Sequence, residues 1–173
     1  MSILKDYRAY LEHTNSAVKP FFKILFYCNI FFRISHILYK IKLVPLSRFF
    51  WLLNRILFSV DIDPRATLKG GFVMLHGVGI VIGRYVIAEN RFKIYQGATL
   101  GGNNNKEANY NNQIIRQPVL KDGVVIGINA AVLGPIILEA GVTIGANAVV
   151  TKSMPENAIV VSTNFILNKK TVE

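Results

Sequence analysis

The sequence contains almost nothing that would cross-link it. It has one cysteine, Cys28, in 173 residues, so an intrachain disulfide is excluded. The apolar neighbours Phe26 and Tyr27 predict that this thiol is buried and structural, and a reducing compartment is compatible with it. Stability must come from packing.

Acidic residues are also scarce. Ten Asp and Glu stand against twenty Lys and Arg, for a net charge of +10. Residues 1–58 carry most of the excess, with nine Lys or Arg against Asp6 and Glu12. No nucleic-acid-binding motif accompanies the charge, so we expect no nucleic-acid partner.

Long apolar runs are absent as well. Between residues 21 and 60 the longest stretch without a charge is the nine residues 24–32, whereas a membrane-spanning helix needs ~20 apolar residues. The first twenty residues lack the apolar core and cleavage site of a secretory signal. We therefore expect a cytoplasmic protein, with the inner face of the membrane as an open alternative.

Glycine is missing from the first part of the chain, because all thirteen glycines follow Ser59. This change predicts a helical, basic and aromatic segment over residues 1–58, a repeat domain over 59–161 and a tail over 162–173. Pro45 is predicted to end the first main helix, and a second helical stretch contains the apolar cluster 49–53. Four polar residues are spaced so that they share one side of the first helix: Asn29, Arg33, His36 and Lys40.

The remaining surface of these helices is apolar, and two interpretations of it are open. The helices pack on each other and on the repeat domain, or part of their surface lies in a membrane interface with Lys and Arg on anionic headgroups. Basic, aromatic helices occur in both settings.

A six-residue period dominates the repeat domain. Aliphatic residues recur at every sixth position, and the period slips by two between Ile80 and Ile82. The positions are Ile62, Leu68, Met74, Ile80, Ile82, Ala88, Ile94, Leu100, Leu120, Ile126, Val132, Leu138, Ile144 and Val150. An apolar residue at every sixth position predicts a mainly β fold, a triangular parallel β-helix in which each face sends one side chain to the axis.

Residues 101–118, GGNNNKEANYNNQIIRQP, interrupt this period with six asparagines. We expect a protruding loop here. Loops of this length inside compact repeats usually have a function, often covering a site.

The repeat domain resembles a known family over about residues 61–161. The matching segments are DIDPRATLKGGFVMLHGVGIVIGRYVIAENRFKIYQGATLGG, QPVLKDGVVIGINAAVLG and VTIGANAVV. They look like the serine O-acetyltransferase group of hexapeptide acyltransferases, including its capsule and exopolysaccharide relatives. The resemblance implies a left-handed parallel β-helix, a homotrimer, and acetyl transfer from acetyl-CoA at clefts between subunits, with no metal.

Two residues match the catalytic positions of that family. His76 in MLHGVG matches the general base, and Asp61 in DIDP matches the carboxylate that orients it. The chemistry suits this pair, because an imidazole with a pKa near ~6.5 accepts the proton of a hydroxyl as the hydroxyl attacks a thioester. We expect His13 and His36 to be surface residues of the helical segment.

The resemblance also suggests where the coenzyme lies. Small residues let its pantetheine arm approach the backbone, lysines meet its phosphates, and backbone N–H groups at Gly101 and Gly102 stabilise the thioester oxyanion. The candidates are Gly101, Gly102, Gly127, Gly145, Ala146, Lys152, Lys169 and Lys170.

Three departures concern the acceptor. A second family histidine falls on Gln117, the acidic neighbour of the catalytic histidine falls on Leu75, and a helical Arg-Asp-Pro element falls on residues 13–15. Because these groups hold the charged ends of serine, we expect a carbohydrate hydroxyl as the acceptor, with serine as the alternative.

Two other classes are considered. Some left-handed β-helices are zinc hydratases, but the single histidine of the repeat domain does not supply several ligands. A non-catalytic trimeric scaffold is the remaining competitor, and the presence of both Asp61 and His76 argues against it.

Overall fold

Three helices precede the repeats in the computed structural model, which describes residues 2–14 and 23–162. They are α1 (Ser2–Thr14), α2 (Ile24–Lys40) and α3 (Val44–Phe58). The described strands are β1 (Asp61–Ile62), β2 (Thr67–Leu68), β3 (Phe72–Leu75), β4 (Val81–Ile82), β5 (Ile87–Ala88), β6 (Phe92–Tyr95), β7 (Thr99–Gly101), β8 (Ala108–Tyr110), β9 (Gln113–Ile115), β10 (Val119–Leu120), β11 (Val124–Ile126), β12 (Ala131–Leu133), β13 (Ile137–Leu138), β14 (Thr143–Ile144), β15 (Val149–Val150) and β16 (Ile159–Val160).

The strands form the three faces of a left-handed parallel β-helix, which confirms the predicted fold. Face A stacks β1, β4, β7, β12 and β15; face B stacks β2, β5, β10 and β13; face C stacks β3, β6, β11, β14 and β16. The hexad residues align in register, as in the column Met74, Ile94, Ile126 and Ile144 on face C. Every predicted inward position is buried.

The slip in the period has a structural cause in the first coil. Ile62 pairs with Ile82, twenty positions later, whereas Ile82 pairs with Leu100, eighteen positions later. The two extra residues lie in the corner between β3 and β4, which contains His76. Ile80 is buried there just before β4, so our assignment of Ile80 to a strand face was wrong.

Residues 101–118 are more ordered than the loop we expected. Strands β8 and β9 form an antiparallel hairpin, with Asn111 and Asn112 at its tip, both at positive φ. Asparagine tolerates this conformation better than most residues, so the asparagine pairs specify turns. The hydroxyl of Tyr110 donates to Glu89, 2.9 Å away, and joins the hairpin to the coil.

Helix α2 covers the open end of the first coil. Its Cys28 and Phe32 are fully buried in the same cluster as the inward hexad residues. The predicted burial of the thiol is confirmed, and burial raises the pKa of Cys28 above its ordinary value. Without such a cover, the apolar interior of the first coil would meet water.

The polar side of α2 faces the coil. Asn29 Nδ2 donates to the carbonyl of Phe72 at 3.1 Å, and the Arg33 guanidinium is bound to Asp6 of α1 at 2.9 Å. His36 is half-buried and its Nδ1 lies 2.7 Å from the carbonyl oxygen of Pro64, so its assignment as a surface residue was wrong.

The prediction for Pro45 was also wrong. Helix α2 ends at Lys40, and Pro45 lies in the first turn of α3, where its missing N–H leaves no bond unmade. The reversal between the helices passes through Lys42, which has a positive φ of 65°.

We predict that Asp6→Asn strongly destabilises the fold. Asp6 is fully buried, and its carboxylate accepts hydrogen bonds from Arg33 and from the backbone N–H of Gly71. The variant leaves the Arg33 guanidinium buried without a counter-charge, which costs about 3–5 kcal/mol. Urea unfolding followed by circular dichroism measures the change.

Glu12→Gln on the same helix is the matched control. Its carboxylate lies 3.6 Å from Arg91, and both side chains are more than half exposed. Surface pairs contribute about 0–1 kcal/mol, so the unfolding midpoint should barely move. Equal, small losses in both variants would contradict the structural role of Asp6.

Candidate functional site

His76 occupies the widened corner of the first coil. Its φ is +61°, an uncommon conformation for a residue other than glycine, and its side chain is exposed. The following Gly77 also has a positive φ, and a Cβ there would approach a side-chain carbon of Leu25 to 2.3 Å. The positive φ and the closeness of Leu25 favour glycine at that position, and the turn presents His76 outward while α2 packs beneath it.

A cavity of about 330 Å³ opens beside His76, between the coil and the ends of α1 and α2. One hydrogen bond joins α1 to the coil beside this cavity. The backbone N–H of Met74 donates to the Tyr10 hydroxyl at 3.2 Å. Leu75 lines the cavity, and its role in acceptor binding stays a prediction. The lining residues are Tyr10, His13, Lys23, Ile24, Leu25, Met74, Leu75 and His76.

The described residues that line this cavity include no carboxylate, and Lys23 supplies a positive charge. Burial lowers the pKa of His13, and the charges of Lys93 and Lys23 lower it further. The cavity can accept a hydrogen-bonding or anionic group, but none of its described lining residues is acidic and able to pair with an ammonium.

Asp61 lies beside the same corner. Its backbone N–H donates to Ile80 at 2.9 Å. Its carboxylate accepts from the indole Nε1 of Trp51 at 2.8 Å and lies 3.6 Å from Arg55 Nε. Within the described residues it makes no hydrogen bond to His76, so the orienting role of Asp61 stays a prediction. Sequence reasoning missed the Trp51 contact, because nothing in a helical aromatic cluster marks one ring as facing the coil.

Several coenzyme candidates lie on the same edge of the β-helix as His76. This is the edge where the chain passes from face C to face A, and we call it the CA edge. Gly127 and Gly145 follow the paired residues Ile126 and Ile144, and the exposed Ala146 comes next. A Cβ on Gly127 would lie 2.6 Å from the carbonyl oxygen of Ile144, so stacking alone requires glycine there.

Gln117 lies on a different edge, where face A passes into face B, which we call the AB edge. Its Oε1 accepts from the backbone N–H of Tyr85 at 2.9 Å, and it lines a cavity of about 360 Å³ with Gly102 and Arg116. Gly101 ends β7 at this edge, and the exposed Lys152 follows β15 there.

One chain therefore does not bring the predicted site together. His76, Gly127, Gly145 and Ala146 occupy the CA edge, and the AB edge has Gly101, Gly102, Gln117 and Lys152. Face A separates the two groups. Lys169, Lys170 and Asn15 lie outside the described residues.

Gln96 is a further candidate on the CA edge, one coil beyond His76. Its Oε1 atom is buried and has no hydrogen-bond partner among the described residues. A buried amide oxygen without a partner is costly, and this cost singles out Gln96. In the sequence, this glutamine before Gly97 is not distinguishable from an ordinary turn residue, so no pattern could have predicted its role. The described residues contain no group of three or more His, Cys, Asp or Glu that would hold a metal.

Comparisons with known proteins agree on one group. Residues 117–152 match the family model described as bacterial transferase hexapeptide (six repeats). The chain is 35% identical over 174 residues to a serine acetyltransferase of Buchnera aphidicola subsp. Schizaphis graminum, covering 98% of this chain and 64% of that protein.

Solved structures give the same result. A serine acetyltransferase in complex with cysteine is 30% identical, with a TM-score of 0.80 over 96% of this chain and 68% of that one. A serine acetyltransferase in complex with CoA is also 30% identical, with a TM-score of 0.80 over 91% of this chain and 64% of that one. The chain spans about half to two thirds of the length of the curated relatives it matches.

Proposed function

The chain belongs to the hexapeptide-repeat acyltransferase family, and we propose that it transfers an acetyl group from acetyl-CoA to an acceptor hydroxyl. The observation that carries the proposal is the exposed His76, held at positive φ in the widened corner and beside a cavity. The relatives support the donor, since one of the similar serine acetyltransferases was solved with CoA.

His76 acts as the general base in this proposal. Its imidazole accepts the hydroxyl proton while the hydroxyl oxygen attacks the carbonyl carbon of the thioester. The tetrahedral intermediate then collapses, the carbon–sulfur bond breaks, and the protonated imidazole returns its proton to the departing CoA thiolate. Backbone N–H groups near Gly101 and Gly102 are the candidate oxyanion donors.

The site is completed between subunits of a homotrimer. Face A separates the CA and AB edges within a chain, but cyclic symmetry allows the CA edge of one subunit to meet the AB edge of its neighbour. His76 of one chain then works with Gln117 and Gly102 of the next. The coenzyme lies along the shared cleft between Gly127, Gly145 and Ala146 on one side and Lys152 on the other.

L-serine is the acceptor that the relatives support best. The matched relatives are serine acetyltransferases, so the alternative from the sequence is better supported than the carbohydrate acceptor we expected. Lys23 and His76 line the same cavity, so Lys23 can bind the serine carboxylate while the serine hydroxyl meets His76.

A carbohydrate hydroxyl is the second candidate, and one observation favours it. Among the described residues that line the cavity there is no carboxylate for an ammonium group, and both Leu75 and Gln117 are neutral. A site that lacks the partner of a charged ligand group binds that ligand weakly. The neutral amide of Gln117 both donates and accepts hydrogen bonds, as a sugar hydroxyl requires.

We predict that His76→Ala lowers the rate of acetyl transfer by about 10²–10⁴, the usual contribution of a positioned general base. Release of the CoA thiol from acetyl-CoA measures the rate, and the unfolding midpoint checks that the fold is intact. His36→Gln is the matched control, because His36 packs against Pro64 away from the cavity. Near wild-type turnover by the His76 variant would refute its role.

We predict a higher kcat/KM for L-serine than for nucleotide sugars or capsule-type oligosaccharides in the same thiol-release assay. Leu75→Asp should lower the KM for serine below the wild-type value. The variant places a carboxylate in the cavity for the ammonium group, and charge-assisted hydrogen bonds are strong. Leu75→Asn has nearly the same shape without the charge and should not do so. A sugar with a clearly higher kcat/KM than serine would favour the second candidate.

A further inference from the structure

The outer surface of α2 and α3 is apolar although it faces away from the coil. Seven apolar side chains on the helical hairpin of α2 and α3 are 45–66% exposed, and we call them the hairpin surface. They are Ile37, Ile41, Leu43, Leu46, Phe49, Leu52 and Ile56. Scattered exposed apolar residues are normal in proteins, whereas large exposed apolar patches mark interaction sites. No described helix is both long and apolar enough to cross a bilayer.

The hairpin surface follows from the way the helices pack. On α3, Leu46, Phe49, Leu52 and Ile56 are three, three and four residues apart, so they share one side of the helix. The opposite side packs inward and contains the buried polar residues Ser47 and Asn54 beside Phe50 and Phe58, whose rings contact Phe31 of α2. Ser47 Oγ donates to the carbonyl of Ser35 at 2.8 Å, and Asn54 Nδ2 donates to the carbonyl of Cys28 at 3.1 Å. Both helices thus bury polar residues together with apolar ones and still leave apolar side chains exposed, whereas an ordinary surface helix exposes its polar side.

The charge within the helical segment that carries the hairpin surface has one sign. No Asp or Glu occurs anywhere in residues 13–60, a segment that contains seven Lys or Arg. Lys40 and Lys42 flank Ile41 at the turn between the helices, and Arg48 adjoins Phe49; all three basic side chains are exposed. Aromatic and aliphatic residues beside such a basic rim are typical of helices that lie in the interface of an anionic membrane.

We propose that the hairpin surface docks the protein on an anionic lipid bilayer, with the apolar side chains among the headgroups and Lys40, Lys42 and Arg48 on the lipid phosphates. Two occupants are compared, a second copy of this chain and a bilayer, and the charge of the surface favours the bilayer. A second copy placed on this surface would bring two basic rims together without any acidic residue of the segment to offset them. A bilayer supplies both the negative charge and the apolar layer.

A homotrimer would strengthen the contact. Cyclic symmetry gives every subunit the same inclination to the axis, so a trimer would carry three equivalent hairpin surfaces. Binding of one surface raises the effective concentration of the other two at the membrane. The docking proposal does not depend on the acetyl-transfer reaction.

The test is flotation of the full chain with vesicles of phosphatidylcholine and phosphatidylglycerol, compared with phosphatidylcholine alone. We expect binding to the anionic vesicles at low salt and weaker binding at high salt, because salt screens the headgroup charge. Phe49→Ser combined with Leu52→Ser should weaken that binding at least about tenfold, since two apolar side chains no longer enter the interface.

Ile159→Ser is the matched control, because Ile159 is 73% exposed on the last strand of the coil, away from α2 and α3. It should bind as the wild type does, and unfolding midpoints check that all variants are folded. Three results would overturn the proposal: no binding of the wild type at low salt, undiminished binding of the double variant, or a larger oligomer that the double variant dissociates.

Discussion

Each face of the coil must send one aliphatic side chain to the axis, in register with the face above and below, and the site depends on this constraint. Columns such as Met74, Ile94, Ile126 and Ile144 leave no room for a change of spacing within a strand. Extra residues therefore have to be accommodated at a corner. The first coil does this between β3 and β4, and the enlarged corner turns His76 outward at positive φ.

A coil also has open ends, and the covering of the first end explains the helical segment. Helix α2 places Cys28 and Phe32 over the interior, while Asp6, Asn29 and Arg33 satisfy the backbone groups that the first coil leaves unpaired. The helix pair therefore directs both polar and apolar side chains inward. Further apolar side chains remain exposed beside the basic residues, and the same arrangement brings the ends of α1 and α2 beside His76 to enclose the cavity.

The β-helix and its inward side chains were predictable, because the apolar residue of each six-residue repeat is the one that points to the axis. The slip between Ile80 and Ile82 was visible too, although only the register showed that it enlarges the corner of His76. Helical spacing placed Asn29 and Arg33 on one side of α2 but did not say whether that side meets water or the coil, and the coil's unpaired carbonyls decided it. The separation of the candidates onto two edges depends on which corner follows which face, and residue spacing alone does not reveal that.

The central claim is that His76 on the CA edge of one subunit works with the AB edge of another. Mixed trimers of two inactive variants test it, His76→Ala and Gly102→Phe. A Cβ on Gly102 meets no atom closer than 3.8 Å, so the ring would enter the cleft without disturbing the coil. Random assortment at equal amounts leaves about a quarter of the clefts with both edges intact, and the account predicts that fraction of wild-type turnover. Turnover no higher than that of either variant alone would contradict it.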